Sequence, residues 1–152
     1  MRFIPRDAEP WVARIRAEEH MGLVPFAVRP TPDPRVAVVV AGGSAYLVDV
    51  VDRSWRRLDV FPASQVVEVP DAGALVFASP DTLVGIARRA GDGVLDQVWT
   101  TDRVATDDLR VVRVVGTRLE CRGSEMFESF EVDATDGSVE WAGGARPSHL
   151  SW

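Results

Sequence analysis

From residue 36 onward the chain alternates short runs of β-branched and apolar residues with clusters of Gly, Asp, Pro and Ser. That rhythm is the signature of strands separated by tight turns. Eleven strands are predicted, near Val36–Val40, Ala45–Val50, Trp55–Val60, Val66–Val69, Ala74–Ala78, Leu83–Arg88, Leu95–Thr100, Leu109–Val115, Leu119–Arg122, Phe127–Asp133 and Ser138–Trp141. The clearest alternation is Arg118-Leu119-Glu120-Cys121-Arg122, which sends apolar and charged side chains to opposite faces. Phe127 and Phe130 have opposite parity, which implies a bulge or a strand buried on both sides.

The first 35 residues read differently. Pro10 to Glu19 has a helical pattern, with Trp11 and Ile15 four apart on one face and Gly22 and Pro25 ending it. His20 falls in the last turn, where a cation is favoured. Arg29-Pro30-Thr31-Pro32-Asp33-Pro34 reads as a stiff, extended connector. The expected organisation is a single domain over 1–152, with a helical leader and connector (1–35), about three meander repeats (36–142) and a tail (143–152).

The repeat is carried by tryptophans. Trp55, Trp99 and Trp141 recur at spacings of 44 and 42 residues, while Trp11 and Trp152 fall outside this reading. A turn precedes each of the three: Asp52-Arg53-Ser54, Gly91-Asp92-Gly93 and Asp136-Gly137-Ser138. A strand precedes each turn. A period of about 40–45 residues with four strands per unit is that of a propeller blade.

The segment Val132-Asp133-Ala134-Thr135-Asp136-Gly137-Ser138-Val139-Glu140-Trp141 resembles the blade repeat of quinoprotein-type β-propellers, as in small bacterial proteins with partial propeller repeats. The first unit departs from that pattern with Ser54 directly before Trp55, and the second carries Val94 to Val98 between Gly93 and Trp99. The fold expected is all-β: antiparallel meander sheets in an incomplete propeller-like (or barrel-like) stack with a short N-terminal helix. Three units are fewer than the four to eight that close a propeller, so sheet edges remain that a second copy could cover, as a homodimer.

Composition narrows the chemistry. The 152 residues carry a formal net charge of −6, which opposes nucleic-acid binding and favours a basic protein partner. All 17 basic residues are arginine. Without lysine, a Walker-type phosphate loop, a Schiff-base enzyme and a protein-kinase ATP site are all disfavoured. No apolar run approaches the ~20 residues of a membrane span. Cys121 is the single cysteine, and no secretory signal is recognisable, so a cytoplasmic location is expected.

No local motif assembles a catalytic group. Gly42-Gly43-Ser44-Ala45-Tyr46 resembles half of a nucleophile elbow but has Tyr46 where the closing glycine belongs. His20 and His149 have no second ligand at metal-binding spacing, so neither a metal nor a cofactor is expected. Asp102, Asp107, Asp108, Asp133 and Asp136 fit turn chemistry rather than a calcium loop. Cys121, on an apolar strand face, reads as an inert thiol.

The only basic clusters are Arg53, Arg56 and Arg57, together with Arg88 and Arg89. Guanidinium groups clamp carboxylates and phosphates bidentately, which makes Arg53, Arg56 and Arg57 the candidate ligand-binding residues. The expected function is a non-catalytic protein–protein interaction module of the immunity or adaptor type in the bacterial cytoplasm. The alternative is a domain that binds a small anionic ligand through these arginines.

Overall fold

The computed structural model describes residues 2–4, 9–15, 26–125 and 128–150. The described chain is all-β, with three four-stranded antiparallel sheets, one two-stranded sheet and two single-turn 3-10 helices. None of the sheets closes into a barrel. The chain divides into two compact units, residues 1–62 and 63–152.

The first unit opens on a two-stranded sheet, β1 (Arg2–Phe3) against β2 (Trp11–Val12). The predicted leader helix is corrected here, because Trp11 and Val12 are strand and residues 13–15 are not helical. The helical pairing of Trp11 with Ile15 lost to a tertiary demand on the indole, described below. His20, Gly22 and Pro25 lie outside the described residues. A four-stranded meander follows: β3 (Ala27–Pro30), β4 (Val36–Ala41), β5 (Ser44–Asp49) and β6 (Ser54–Arg57), paired in chain order. β3 occupies the start of the expected connector. It is an edge strand, the position in a sheet where Pro30 is tolerated. Val38 to Ala41 are buried at both parities, which is why β4 shows no alternation.

The second unit holds two more meanders. One is β7 (Gln65–Val69), β8 (Ala74–Ala78), β9 (Leu83–Arg88) and β10 (Leu95–Thr100). The other is β11 (Arg110–Val115), β12 (Arg118–Arg122), β13 (Ser129–Asp133) and β14 (Val139–Trp141). One apolar cluster joins them, including Val76, Leu83, Trp99, Leu109, Leu119, Phe130 and Val132. Gln65 stitches the two sheets as a strand would. Its amide donates to the Val111 carbonyl at 3.0 Å, and its side-chain oxygen accepts the Val111 N–H at 2.9 Å.

Trp99 is the principal wedge of this core. It pairs across the sheet with Gly85, where a Cβ would lie 2.0 Å from its indole. Gly137, in the turn between β13 and β14, makes room on the other side, since a Cβ there would come within 2.7 Å. The indole N–H donates to the Ala134 carbonyl at 2.9 Å. The residues inserted between Gly93 and Trp99 are absorbed by a bulge between Gln97 and Trp99.

The first unit repeats this arrangement with Trp11. Its indole N–H donates to the Val50 carbonyl at 2.8 Å. Val50 follows Asp49 at the end of β5 as Ala134 follows Asp133 at the end of β13. Trp11 pairs with Phe3, ring centroids 4.7 Å apart, much as Trp141 pairs with Phe130 at 4.8 Å. Trp11 also lies 44 residues before Trp55, so the structure brings it into the periodicity that the sequence reading left it out of.

Candidate functional site

The first unit contains an apolar cleft of about 420 Å³. It lies between the segment after β2 and the face of β5 and β6 that carries Tyr46, Val48 and Trp55. Trp11, Ala13, Ile15, Tyr46, Val48 and Trp55 form its walls, and Arg14 and Arg53 supply its charge. The local reasons are simple. Tyr46 and Val48 alternate to one face of β5, and Trp55 pairs with Val48 on β6, so its ring meets Tyr46 edge-on at 5.6 Å. Trp55 remains 66% exposed, a large indole held open at the mouth.

Arg53 reaches the cleft through an unusual backbone. It sits in the β5–β6 turn with φ of 57°, the left-handed region. The corresponding turn residue between β13 and β14 is Gly137, with φ of 77°. A non-glycine residue there costs about 1–2 kcal/mol, and such strain concentrates at functional sites. Asp49 pins the turn by accepting the N–H groups of Val51 (2.9 Å) and Asp52 (2.8 Å). Glu9 stands 4.0 Å from the Arg53 guanidinium, but both groups are exposed and the pair is weak.

The three arginines singled out by sequence do not converge. Arg56 and Arg57 are consecutive on β6, so they point to opposite faces of the sheet. Arg57 instead lies over the Phe61 ring, 5.4 Å from its centroid. Only Arg53 of the three lines the cleft, joined by Arg14 from the segment after β2, which belongs to no cluster of arginines in the sequence. Arg88 and Arg89 belong to the second unit. Arg88 donates to the Gly93 carbonyl at 2.9 Å, and Arg89 pairs with Asp92 and with Asp96 at 3.2 Å.

The second unit contains a counterpart cleft beside Trp99. It is lined by Thr100, Thr101, Asp102, Gly137, Val139 and Arg146, among others. Counting from the docking tryptophans, Asp102 stands where Arg14 does; counting from Asp49 and Asp133, Gly137 stands where Arg53 does. The chain itself supplies the cation there. Arg146 lies 3.7 Å from Asp102 and donates to the carbonyls of Arg103 (2.8 Å) and Leu150 (2.9 Å). The two clefts thus share a frame, but the second balances Asp102 with Arg146 where the first is lined by two arginines.

A second polar centre was invisible to motif searching. Glu128 is fully buried, and its Oε1 accepts from the Thr106 N–H at 2.9 Å and the Thr106 hydroxyl at 2.5 Å, with His149 Nε2 at 2.9 Å. Burial pushes this carboxyl up, but the hydrogen bonds from Thr106, His149 and the Glu125 N–H outweigh it, so its pKa is lowered overall. The carboxylate lies between hydroxyl and imidazole, the wrong order for activating the hydroxyl, since the imidazole must sit in the middle. The arrangement clamps the 101–109 loop and the C-terminal turn onto the core. Its sequence signal was parity: Glu128 shares the buried parity of Phe130 and Val132.

The sheet β11–β14 carries a broader hollow of about 640 Å³. Glu120, Glu131 and Glu140 face one another across β12, β13 and β14 in a single row. Arg113 lies 3.5 Å from Glu120, and Arg118 lies 2.9 Å from Glu140. Asp133 is held below the usual carboxylate range, chiefly by the Thr135 hydroxyl and N–H. Among the described residues no group of three or more His, Cys, Asp or Glu side chains is placed to hold a metal ion. None of their helices is long and apolar enough to cross a membrane.

Comparison with known proteins adds little to this geometry. No protein family matches the sequence, and no curated protein matches it. The structure is similar to that of a functionally unknown protein from Desulfotomaculum acetoxidans DSM 771, with TM-score 0.41, 15% identity, 80% of this chain and 43% of that chain covered. It is also similar to a candidate 6-phosphogluconolactonase from Bacteroides uniformis ATCC 8492, with TM-score 0.44, 13% identity, 93% of this chain and 46% of that chain covered. The chain thus spans less than half the length of either, and at this level of likeness neither carries an argument about function.

Proposed function

We propose that the chain is a non-catalytic binding module of the bacterial cytoplasm, and that the cleft of its first unit takes a small anion with an aromatic or otherwise apolar body. The observation that carries this reading is the pairing of two guanidinium groups, Arg14 and Arg53, with walls of Trp11, Tyr46 and Trp55. A cleft of about 420 Å³ falls within the range of small-molecule sites. Strain is spent at Arg53, where the sister turn uses glycine. In the sister cleft the chain's own Arg146 meets Asp102, so the frame already accommodates a charged group from outside the sheet.

The apolar walls would stack on the body of the ligand while the arginines fork onto its carboxylate or phosphate. The test is calorimetric titration with aromatic carboxylates of increasing size, each beside its neutral amide. Specific binding of the acid should weaken about tenfold or more in Arg14→Ala and in Arg53→Ala, the worth of a charge-assisted hydrogen bond. Arg56→Ala should leave it unchanged. Equal affinity for acid and amide, or equal loss in all three variants, would refute the reading.

Recognition of a basic protein partner is the alternative, and the row Glu120, Glu131, Glu140 is what favours it. In this reading the three meanders are blade-like units of an incomplete propeller, displaying one sheet face to the partner. Salt-sensitive binding of a basic protein, lost on Glu131→Arg, would support it. Binding insensitive to that change would sink it.

A further inference from the structure

After β14 the chain folds back over its own sheet pair. Residues 146–150 reach the loop that follows β10, and two anchors fix their far end. Leu150 is 1% exposed, and His149 Nε2 lies 2.9 Å from the Glu128 oxygen that also accepts the Thr106 N–H and hydroxyl of that loop. Glu128 therefore holds both segments in place with one buried carboxylate. At the near end Arg146 enters the cleft of about 330 Å³ beside Trp99.

The contacts of Arg146 are those of a recognised guanidinium. Its Nη2 donates to the Arg103 carbonyl at 2.8 Å and to the Leu150 carbonyl at 2.9 Å, while Nη1 lies 3.7 Å from Asp102. Three acceptors in different directions suit a planar fork of donors better than a compact ammonium. Val139 and Trp141 line the same cleft and offer apolar surface to an alkyl stem. The side chain is also exchangeable. It remains 37% exposed, and its partner Asp102 is 90% exposed, so the ion pair is weak. The acceptors stay when Arg146 swings out, because the anchors behind them are buried.

We infer that the cleft beside Trp99 is a receptor for an alkylguanidinium group, and that Arg146 is its internal stand-in, displaced when an outside guanidinium binds. The site is distinct from the anion cleft of the first unit and stands whether or not that cleft binds its ligand. Its size is at the lower end of small-molecule sites, enough for one such group and its stem.

Chemical-shift titration with ethylguanidinium, read at the Thr101, Asp102 and Trp141 amides, tests this. Arg146→Ala should bind the probe at these residues about tenfold or more tightly than the parent, whose tethered side chain competes at millimolar effective concentration. Butylammonium should bind the same variant more weakly than ethylguanidinium. Adding Asp102→Asn should weaken ethylguanidinium by about fivefold, the worth of an exposed ion pair. Far-UV circular dichroism checks the fold, and Arg146→Gln, which retains an amide donor for the two carbonyls, replaces the alanine variant if that one unfolds. Tighter binding of N-acetylarginine amide than of ethylguanidinium would assign the group to a peptide arginine, and equal binding to a free guanidinium compound. Failure of the variants to bind, binding no tighter than the parent's, or equal affinity for butylammonium would each overturn the inference.

Discussion

The contact between Trp99 and Gly85 offers a quantitative test of how the sheets of the second unit lock. Gly85 has an ordinary backbone, so an alanine there suffers no conformational strain of its own. Its Cβ would nevertheless lie 2.0 Å from Trp99 Cε2, well inside van der Waals contact. The ring cannot retreat, because Gly137 already brings backbone to its opposite face and Ala134 holds its N–H. Gly85→Ala should therefore cost about 3 kcal/mol, the upper end of overpacking. Trp99→Ala should cost about 4 kcal/mol by opening a cavity. In the Trp99→Ala background the clash is gone, and Gly85→Ala should be neutral or stabilising by about 0.5 kcal/mol through the unfolded chain. The coupling is then about 3 kcal/mol, far above the tenths expected of independent sites. Urea unfolding followed by far-UV circular dichroism measures all four proteins without relying on tryptophan fluorescence. Gly91→Ala is the control: φ of 105° with nothing within 4 Å, so pure backbone strain of about 1–3 kcal/mol in either background. If Gly85→Ala costs the same with and without Trp99, the wedge is not what holds these sheets.

Other expectations follow from single sites. Arg53→Gly should raise thermal stability by about 0.5–1 kcal/mol by relieving the left-handed strain while lowering ligand affinity, and a loss of stability would show that Arg53 is not strained. Cys121, whose pKa burial pushes up to about 12, should resist a thiol reagent at pH 8 in the folded protein and react at once in denaturant. Glu128 has a lowered folded pKa, so the stability it contributes is complete above the ordinary glutamate value of 4.5 and is lost as pH falls through its own lower value. Glu128→Gln should accordingly destabilise at pH 7, and the gap from the parent should close on acidification; an unchanged gap at low pH would refute the assignment. Ser44 is fully buried with no partner for its hydroxyl, so Ser44→Ala should be neutral or stabilising in the same urea assay, and a loss above about 1 kcal/mol would reveal a missing partner.

Much of the fold was legible because the turns are. The spans Ala74–Ala78, Leu83–Arg88 and Leu95–Thr100 match the structure residue for residue, bounded as they are by Gly, Asp and Pro. The N-terminal segment was not legible. A two-residue strand offers no period to read, and the Trp11–Ile15 spacing imitates a helix while the indole is committed to the Val50 carbonyl 39 residues away. The site was half visible. Arg53 stood out by composition, but the alternation of β6 scatters Arg56 and Arg57, and Arg14 needed the tertiary fold to bring it near. Glu128 was betrayed only by its parity among buried residues.

The length mismatch before Trp99 bears on how this chain tolerates change. Seven residues separate Trp55 from its cross-strand partner Val48, and fourteen separate Trp99 from Gly85, yet both hairpins close. The strand is indexed by where its indole lands, and the bulge takes up whatever the turn delivers. The Ala90–Gly93 tip, with open space around Gly91 and Gly93, is therefore a natural graft point for foreign peptide. A tag or epitope spliced there would ride on a hairpin whose register is kept from the far end.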